Sequence, residues 1–397
     1  MRDVAIIGVG HTKFGRASKT SLELFAEAAL RAIDDAGVSL RDIEALFQGA
    51  ALPGFEEGQV MSAAFSAAEL NLGPIPATRY EGACASASVA IRDAAQWVAA
   101  GEFELVLAGG VEKALLMGTP LATRTFAMAC HAPTEGPAGL TFPGVFAMAA
   151  RRYAKTYDLS LEKLREKMAC VSIKNHRHGA LNPLAQFYKK MADLKVEDVI
   201  NSRMVADPLT LLDCCPFSDG AAALVLCSAE HARTYTDEPI YVLGTGQASG
   251  TPLARMADLT KPASRITSAR MAFKRAGLTP RDIDMVEVHD CFSIAELIAL
   301  ESMGFFAWGE AAEATAAGVT EIDGKLPVNM SGGLIGKGHP IGATGASQVC
   351  WVVKQMRGDS PKGNQIDPVP EYGMTDTLGG DFGTLCHLIL GRAKRNR

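Results

Sequence analysis

Val4-Ala-Ile-Ile-Gly-Val-Gly10 and Ile240-Tyr-Val-Leu-Gly-Thr-Gly246 repeat one pattern, an apolar strand ending in Gly-x-Gly. Moving outward, Ala36-Gly-Val-Ser-Leu-Arg-Asp-Ile43 is echoed by Ala276-Gly-Leu-Thr-Pro-Arg-Asp-Ile283. In both copies this turn follows an amphipathic helix and leads into a strand. The first helix carries Leu22, Phe25, Ala29 and Ile33 at helical spacing, and the second carries Ile266, Ala269, Met271 and Phe273. A third echo pairs Gly220-Ala-Ala-Ala-Leu-Val-Leu226 with Gly383-Thr-Leu-Cys-His-Leu-Ile389, the closing strand of each copy. Three matches in one order predict a duplicated strand-helix-strand unit, hence an α/β protein with two mixed sheets covered by helices.

The copies differ in length. Residues 1–117 with 207–235 form the first half and 236–397 the second, with the boundary at Thr236–Pro239. The surplus, 118–206, contains Pro120, Pro133, Pro137, Pro143 and Pro183 among helical stretches such as Phe146–Tyr157. An insertion of this length reads as a lid or binding surface.

Composition narrows the function. Hydrophobic residues make up 48% and charged residues 21%, as in an ordinary folded chain. Lys plus Arg is 39 against 44 for Asp plus Glu, a net charge of −5 that gives no reason to expect nucleic acid or an anionic membrane as partner. The basic end, Arg392 to Arg397, reads as a solvated tail. Nine cysteines include no Cys-x-x-Cys pair, and the adjacent Cys214-Cys215 suits neither a tetrahedral metal site nor an easy disulfide. All nine are expected as reduced thiols in a cytoplasmic protein. No signal-peptide layout and no apolar run near the ~20 residues of a membrane span is present in the sequence.

Three segments carry chemistry. In Glu81-Gly-Ala-Cys-Ala-Ser-Ala-Ser88, Cys84 sits at a strand-to-helix elbow, where the helix N-terminus favours thiolate over thiol. Met285-Val-Glu-Val-His-Asp-Cys-Phe-Ser293 ends a strand and starts a helix; His289 and Cys291, two apart on extended chain, point the same way. In Met330-Ser-Gly-Gly-Leu-Ile-Gly-Lys-Gly-His-Pro-Ile-Gly-Ala-Thr-Gly345, six glycines surround His339. Each also has a structural reading: a buried small residue at 84, a helix cap at Asp290 and Ser293, a packing histidine at 339. A phosphate loop is excluded because Gly338 follows the Gly-Lys pair, and a dinucleotide fingerprint because Lys13 stands where a third glycine belongs. His131 reads as an exposed loop residue, and His176 with His178 lacks a third metal ligand. Together, one nucleophilic cysteine, two histidines and a second cysteine form the equipment for acyl transfer through a thioester.

The whole chain resembles the thiolases, within them the sterol-carrier-protein-2-type branch and its acetyl-CoA acetyltransferases. The Cys84 elbow, His289-Asp-Cys-Phe292 and Gly338-His-Pro-Ile-Gly-Ala-Thr-Gly345 carry the resemblance, with Gly10-His-Thr-Lys-Phe-Gly15 and Asp213-Cys-Cys-Pro-Phe-Ser-Asp-Gly-Ala-Ala222 as further signatures. It implies the thiolase fold, two βαβαβαββ halves in a five-layered αβαβα arrangement, with 118–206 as a loop domain over a coenzyme A site. It implies Cys84 as the acyl-accepting nucleophile, His339 as its base, and His289 in place of the family's oxyanion-hole asparagine. Thr377 stands where ordinary thiolases carry an acid/base cysteine, so Cys291 is the candidate for that role, while Cys386 reads as core. Backbone N–H groups of Cys84 and Gly379 would form an oxyanion hole, at ~3–4 kcal/mol per donor lost.

The implied reaction is reversible cleavage of a 3-oxoacyl-CoA by coenzyme A. A condensing acyltransferase, a retro-aldol lyase and a non-catalytic scaffold subunit are the alternatives. Coenzyme A is a substrate here, with no metal or redox cofactor. Implied partners are a second copy, as homodimer or dimer of dimers, and a small zinc-ribbon/OB-fold subunit of the DUF35 type.

Overall fold

The computed structural model describes residues 2–394, so the last three residues of the basic end lie outside the described residues. The first half comprises β1 (Val4–His11), α1 (Ser21–Ala36), β2 (Ala45–Gly49), β3 (Ala77–Tyr80), α2 (Ser86–Ala100), β4 (Leu105–Glu112) and β5 (Gly220–Ser228). Between β4 and β5 the chain runs through a helix at Gly118–Phe126, then α3 (Phe142–Thr156) and α4 (Leu161–Leu181). The second half comprises β6 (Ile240–Ser249), α5 (Ala263–Ala276), β7 (Met285–Glu287), α6 (Ser293–Ser302), α7 (Gly333–Lys337), α8 (Thr344–Arg357), β8 (Tyr372–Gly379) and β9 (Thr384–Gly391).

The strand order β3-β2-β4-β5-β1-β6-β9-β8-β7 makes the duplication visible, because the second half repeats the first in mirror sequence. Its remaining strand is reduced to a single parallel bridge, Val286 to Val328. The half-sheets join along an antiparallel seam, Ala5 opposite Tyr241 and Ile6 opposite Ile240. Side chains alternate across the sheet. Val4, Ile6, Val106, Ala108, Leu224, Leu226, Leu388 and Leu390 share one core with α2 and α8. Ala5, Ile7, Leu105, Leu107, Val225 and Ile389 belong to the core that holds α1 and α5. Helices α2 and α8 pack against each other and against both half-sheets. The layers therefore run helix, half-sheet, paired helices, half-sheet, helix.

The repeated motifs have repeated physical causes. A Cβ on Gly8 or Gly10 would lie 2.2 or 2.0 Å from the carbonyl oxygens of Ala32 and Ala28 in α1. On Gly244 or Gly246 it would lie 2.3 or 1.9 Å from those of Ala272 and Ser268 in α5. Gly-x-Gly is thus a helix-on-strand packing device in both halves. Gly37 and Gly277 end α1 and α5 in the left-handed region, at φ 65° and 72°. In the turns that follow, Asp42 accepts from the Ser39 N–H and Asp282 from the Thr279 N–H. One expectation fails: Met271 is 40% exposed, and Ala272 takes the inward position on α5.

Candidate active site

Cys84 lies in a short 3-10 turn, Ala83–Ala85, between β3 and α2. Ala83 takes φ 49°, a left-handed conformation that costs free energy for a residue with a Cβ. The bend is tied by Ser86, whose hydroxyl donates to the Ala83 carbonyl (2.6 Å) and accepts the Gly82 N–H (3.0 Å). A Cβ on Gly379 would come within 2.0 Å of the Gly82 carbonyl oxygen, so the end of β8 rests on the elbow. The backbone N–H of Gly380 faces the Cys84 sulfur and favours its thiolate.

His289 and Cys291 follow β7, and neither Asp290 nor Ser293 caps α6 through its side chain. The Asp290 carboxylate accepts the N–H groups of Leu334 (2.6 Å) and Ile335 (3.2 Å), so it serves α7 instead. Ser293 donates to Asp213 at 2.6 Å. Burial, with Glu296 nearby, pushes Asp290 up to about 7. His289 is fully buried, and neither ring nitrogen has a hydrogen-bond partner among the described residues.

His339 is held on two sides. Its N–H donates to Ser218 Oγ (2.9 Å), and its Nδ1 lies 2.6 Å from Thr344 Oγ1, which itself donates to the Pro340 carbonyl (3.0 Å). With the threonine proton directed at the Pro340 carbonyl, Oγ1 is placed to accept from a protonated Nδ1, and we assign the imidazole proton there. Nε2 is left as the basic nitrogen.

The structure brings these groups together. The Cys84 sulfur and one ring nitrogen each of His289 and His339 lie within 4.8 Å of one another, and the imidazole centroids are 5.1 Å apart at 85°. All three line a cavity of about 760 Å³, with Cys291, Gly379, Gly380, Cys214 and Cys215. Phe126, Phe142, Phe217 and Phe292 supply much of its wall, so residues of the insertion close one side. Protonation departs from the expectation at the elbow. Desolvation pushes the Cys84 thiol up to about 12, outweighing the backbone N–H groups of Gly380 and Cys84 that favour thiolate. Burial takes His289 down to about 3 and His339 well below its ordinary value. The resting site is a neutral thiol beside neutral imidazoles. A Cys-His-His set has donors that zinc accepts, but metal-bound histidines anchor their second nitrogen, and the ring of His289 has no such anchor.

Thr377 is not in the cavity. It hydrogen-bonds Ser88 Oγ (2.7 Å) and donates to Gln348 Oε1 (2.7 Å), on the β8 face that meets α2 and α8. Its neighbours Asp376 and Leu378 point the other way, and Leu378 lines the cavity. Cys386 is buried in the core between the half-sheets. Cys215 was not singled out by sequence, yet its N–H donates to the Cys291 carbonyl (3.0 Å) and its thiol shares the cavity. All nine cysteines are free thiols. No helix of the described residues is long and apolar enough to cross a membrane.

Comparison with known proteins identifies the family. The family model "Thiolase, N-terminal domain" matches residues 4–230, and "Thiolase C-terminal domain-like" matches 246–392. An acetyl-CoA acetyltransferase of Methanothermobacter thermautotrophicus is 47% identical over 394 residues, 99% of this chain and 100% of that protein. The benzoylsuccinyl-CoA thiolase subunit BbsB of Thauera aromatica is 35% identical over 385 residues, 96% of this chain and 95% of that one. A solved structure described as an Ltp2-ChsH2(DUF35) aldolase superposes with a TM-score of 0.83 at 31% identity, covering 99% of this chain and 98% of the other. The chain belongs to the thiolase family and is an acyltransferase.

Proposed function

We propose that the protein cleaves a 3-oxoacyl-CoA with coenzyme A, or runs the reverse condensation, through an acyl-Cys84 intermediate. The observation that carries this reading is the convergence of the Cys84 sulfur with His289 and His339 inside 4.8 Å at a cavity wall. The Cys84 thiol passes its proton to His339 Nε2 as the sulfur attacks the substrate ketone. The resulting alkoxide is held by N–H groups of Cys84 and the Gly379-Gly380 turn. Collapse breaks the bond between the two substrate carbons, and the enolate oxygen rests against the unpartnered ring of His289. Cys291 then protonates the enolate carbon. The Cys291 thiolate takes the proton of incoming coenzyme A, whose sulfur attacks the acyl group, and Cys84 leaves with the proton held by His339.

The aromatic wall supports a bulky or aromatic acyl group as substrate, in line with the likeness to a benzoylsuccinyl-CoA thiolase subunit. Likeness to a structure described with a DUF35 protein supports a small subunit of that type, and a second copy of the chain completes the proposed assembly. The proposed location is the cytoplasm, with no metal or redox cofactor resident in the chain. The same likeness favours one further reading, a retro-aldol lyase, which would release an aldehyde without consuming coenzyme A.

Mass spectrometry after mixing with acyl-CoAs decides between them. The peptide containing Cys84 should gain the mass of the acyl group, and Cys84→Ala should gain nothing. An unmodified Cys84 with short, branched and aromatic acyl-CoAs alike would sink the proposal.

A further inference from the structure

Among the described residues no side chain or backbone group hydrogen-bonds the ring of His289, so within the chain its place is set by packing and by its own backbone. That backbone N–H donates to Asp376 Oδ2 at 3.1 Å. Asp376 is fully buried and grasped by an equally buried Arg265, Nε to Oδ1 at 3.0 Å and Nη2 to Oδ2 at 3.2 Å. Nε2 of His387 lies 3.0 Å from the same Oδ1, and its Nδ1 is 2.8 Å from Ser268 Oγ, which donates to the Leu385 carbonyl. Gln348 joins the arrangement by donating to the Asp376 carbonyl at 2.9 Å. Arg265 comes from α5, Asp376 from β8 and His387 from β9, so three elements of the second half meet behind one loop residue.

A fully buried ion pair adds little to stability over well-packed apolar side chains, because desolvation offsets the attraction. What it supplies is a fixed direction: a two-pronged guanidinium-carboxylate contact holds each oxygen in one place. Here one of those oxygens receives the N–H of His289. We propose that Arg265 and Asp376 are positioning residues that fix the imidazole of His289 opposite Cys84 and His339. This rests on the acyl-transfer reading above for its consequence in turnover, though not for the geometry.

The test is the double variant Arg265→Met/Asp376→Leu, which removes both charges and keeps the volume. The expected result is a melting temperature a few degrees below wild type, because the His289 N–H loses its acceptor, with a kcat for thioester cleavage in the folded enzyme lowered about tenfold or more and a KM changed less than twofold. Spectra of protein labelled with 15N-histidine should show one His289 environment in wild type and several, or a broadened one, in the variant. That readout needs no substrate, so a wild type inactive on every thioester would count against the proposed reaction and leave the spectra to judge the pair. A folded double variant with wild-type kcat and an unchanged His289 signal overturns the proposal. So does a kcat loss no greater than the loss of folded protein. Should the double variant not fold, Arg265→Lys, which keeps the charge but loses the fork, is read the same way with a smaller loss of about threefold.

Discussion

Thr344→Val isolates the contact that decides which nitrogen of His339 is basic. The change is nearly isosteric and removes the acceptor 2.6 Å from Nδ1. The Pro340 carbonyl, which loses the threonine hydroxyl, keeps two backbone donors, the N–H groups of Ala343 (2.9 Å) and Thr344 (3.0 Å). The damage is therefore confined to the imidazole. A buried hydrogen bond contributes about 1 kcal/mol net, and an unsatisfied buried group costs about 1–3 kcal/mol. Without its partner, Nδ1 gains little by holding the proton, and the tautomer with the proton on Nε2 competes. That competition alone lowers the competent fraction about twofold. The larger effect is on the imidazolium formed as Cys84 loses its proton, whose Nδ1–H also loses its acceptor. A barrier raised by ~1.4–2 kcal/mol lowers the rate about 10- to 30-fold. Two assays read it: kcat for thioester cleavage, and the rate at which iodoacetamide alkylates Cys84 near neutral pH, which needs no substrate. Both should fall by similar factors while the fold melts within a few degrees of wild type. Equal alkylation and equal turnover in variant and wild type would refute this assignment of protons.

Two further outcomes follow from the packing around the site. Thr377→Val removes two buried hydrogen bonds on the face away from the cavity, so it should cost about 1–3 kcal/mol of stability with kcat of the folded enzyme within about twofold. A collapse of kcat in thermally intact protein would show that Thr377 serves the chemistry and not only the packing. Asp381, close to Cys130 and Glu135, has its carboxyl pushed up to about 7 by desolvation and by the hydrogen bond it shares with Glu135. A raised carboxyl favours the fold while protonated, and that contribution is lost as pH rises toward 7. Melting temperature should therefore decline between about pH 5 and 7 more steeply in wild type than in Asp381→Asn, and equal slopes would count against the shared proton.

The duplication could be read from sequence because its markers answer to backbone geometry. Gly8 and Gly10 exist where a helix touches a strand, Gly37 where a helix must end, and the same constraints recur at Gly244, Gly246 and Gly277. The candidate site residues stand out in the sequence for a similar reason, since Cys84, His289, Cys291 and His339 each sit in a short motif rich in small residues. Their supports escaped notice because they are adjacent only in space. Arg265 and Asp376 are 111 residues apart, and neither stands in a motif. A helix terminus beside Cys84 is visible in sequence, whereas the desolvation that raises its thiol depends on packing that sequence does not show. Strand alternation would have turned Thr377 away from Leu378, but only once the cavity side of β8 was known.

The seam between Ala5-Ile6 and Ile240-Tyr241 gives the molecule a property beyond its architecture. Sulfur is carried by one repeat and both imidazoles by the other, so the reactive trio is a gauge of how the two repeats are aligned. A slip along that junction too small to expose any core would already separate the proposed nucleophile from its proposed base. An ancestral unit folded on its own would hold either the thiol or the rings, and the chemistry begins only where the second copy is joined to the first.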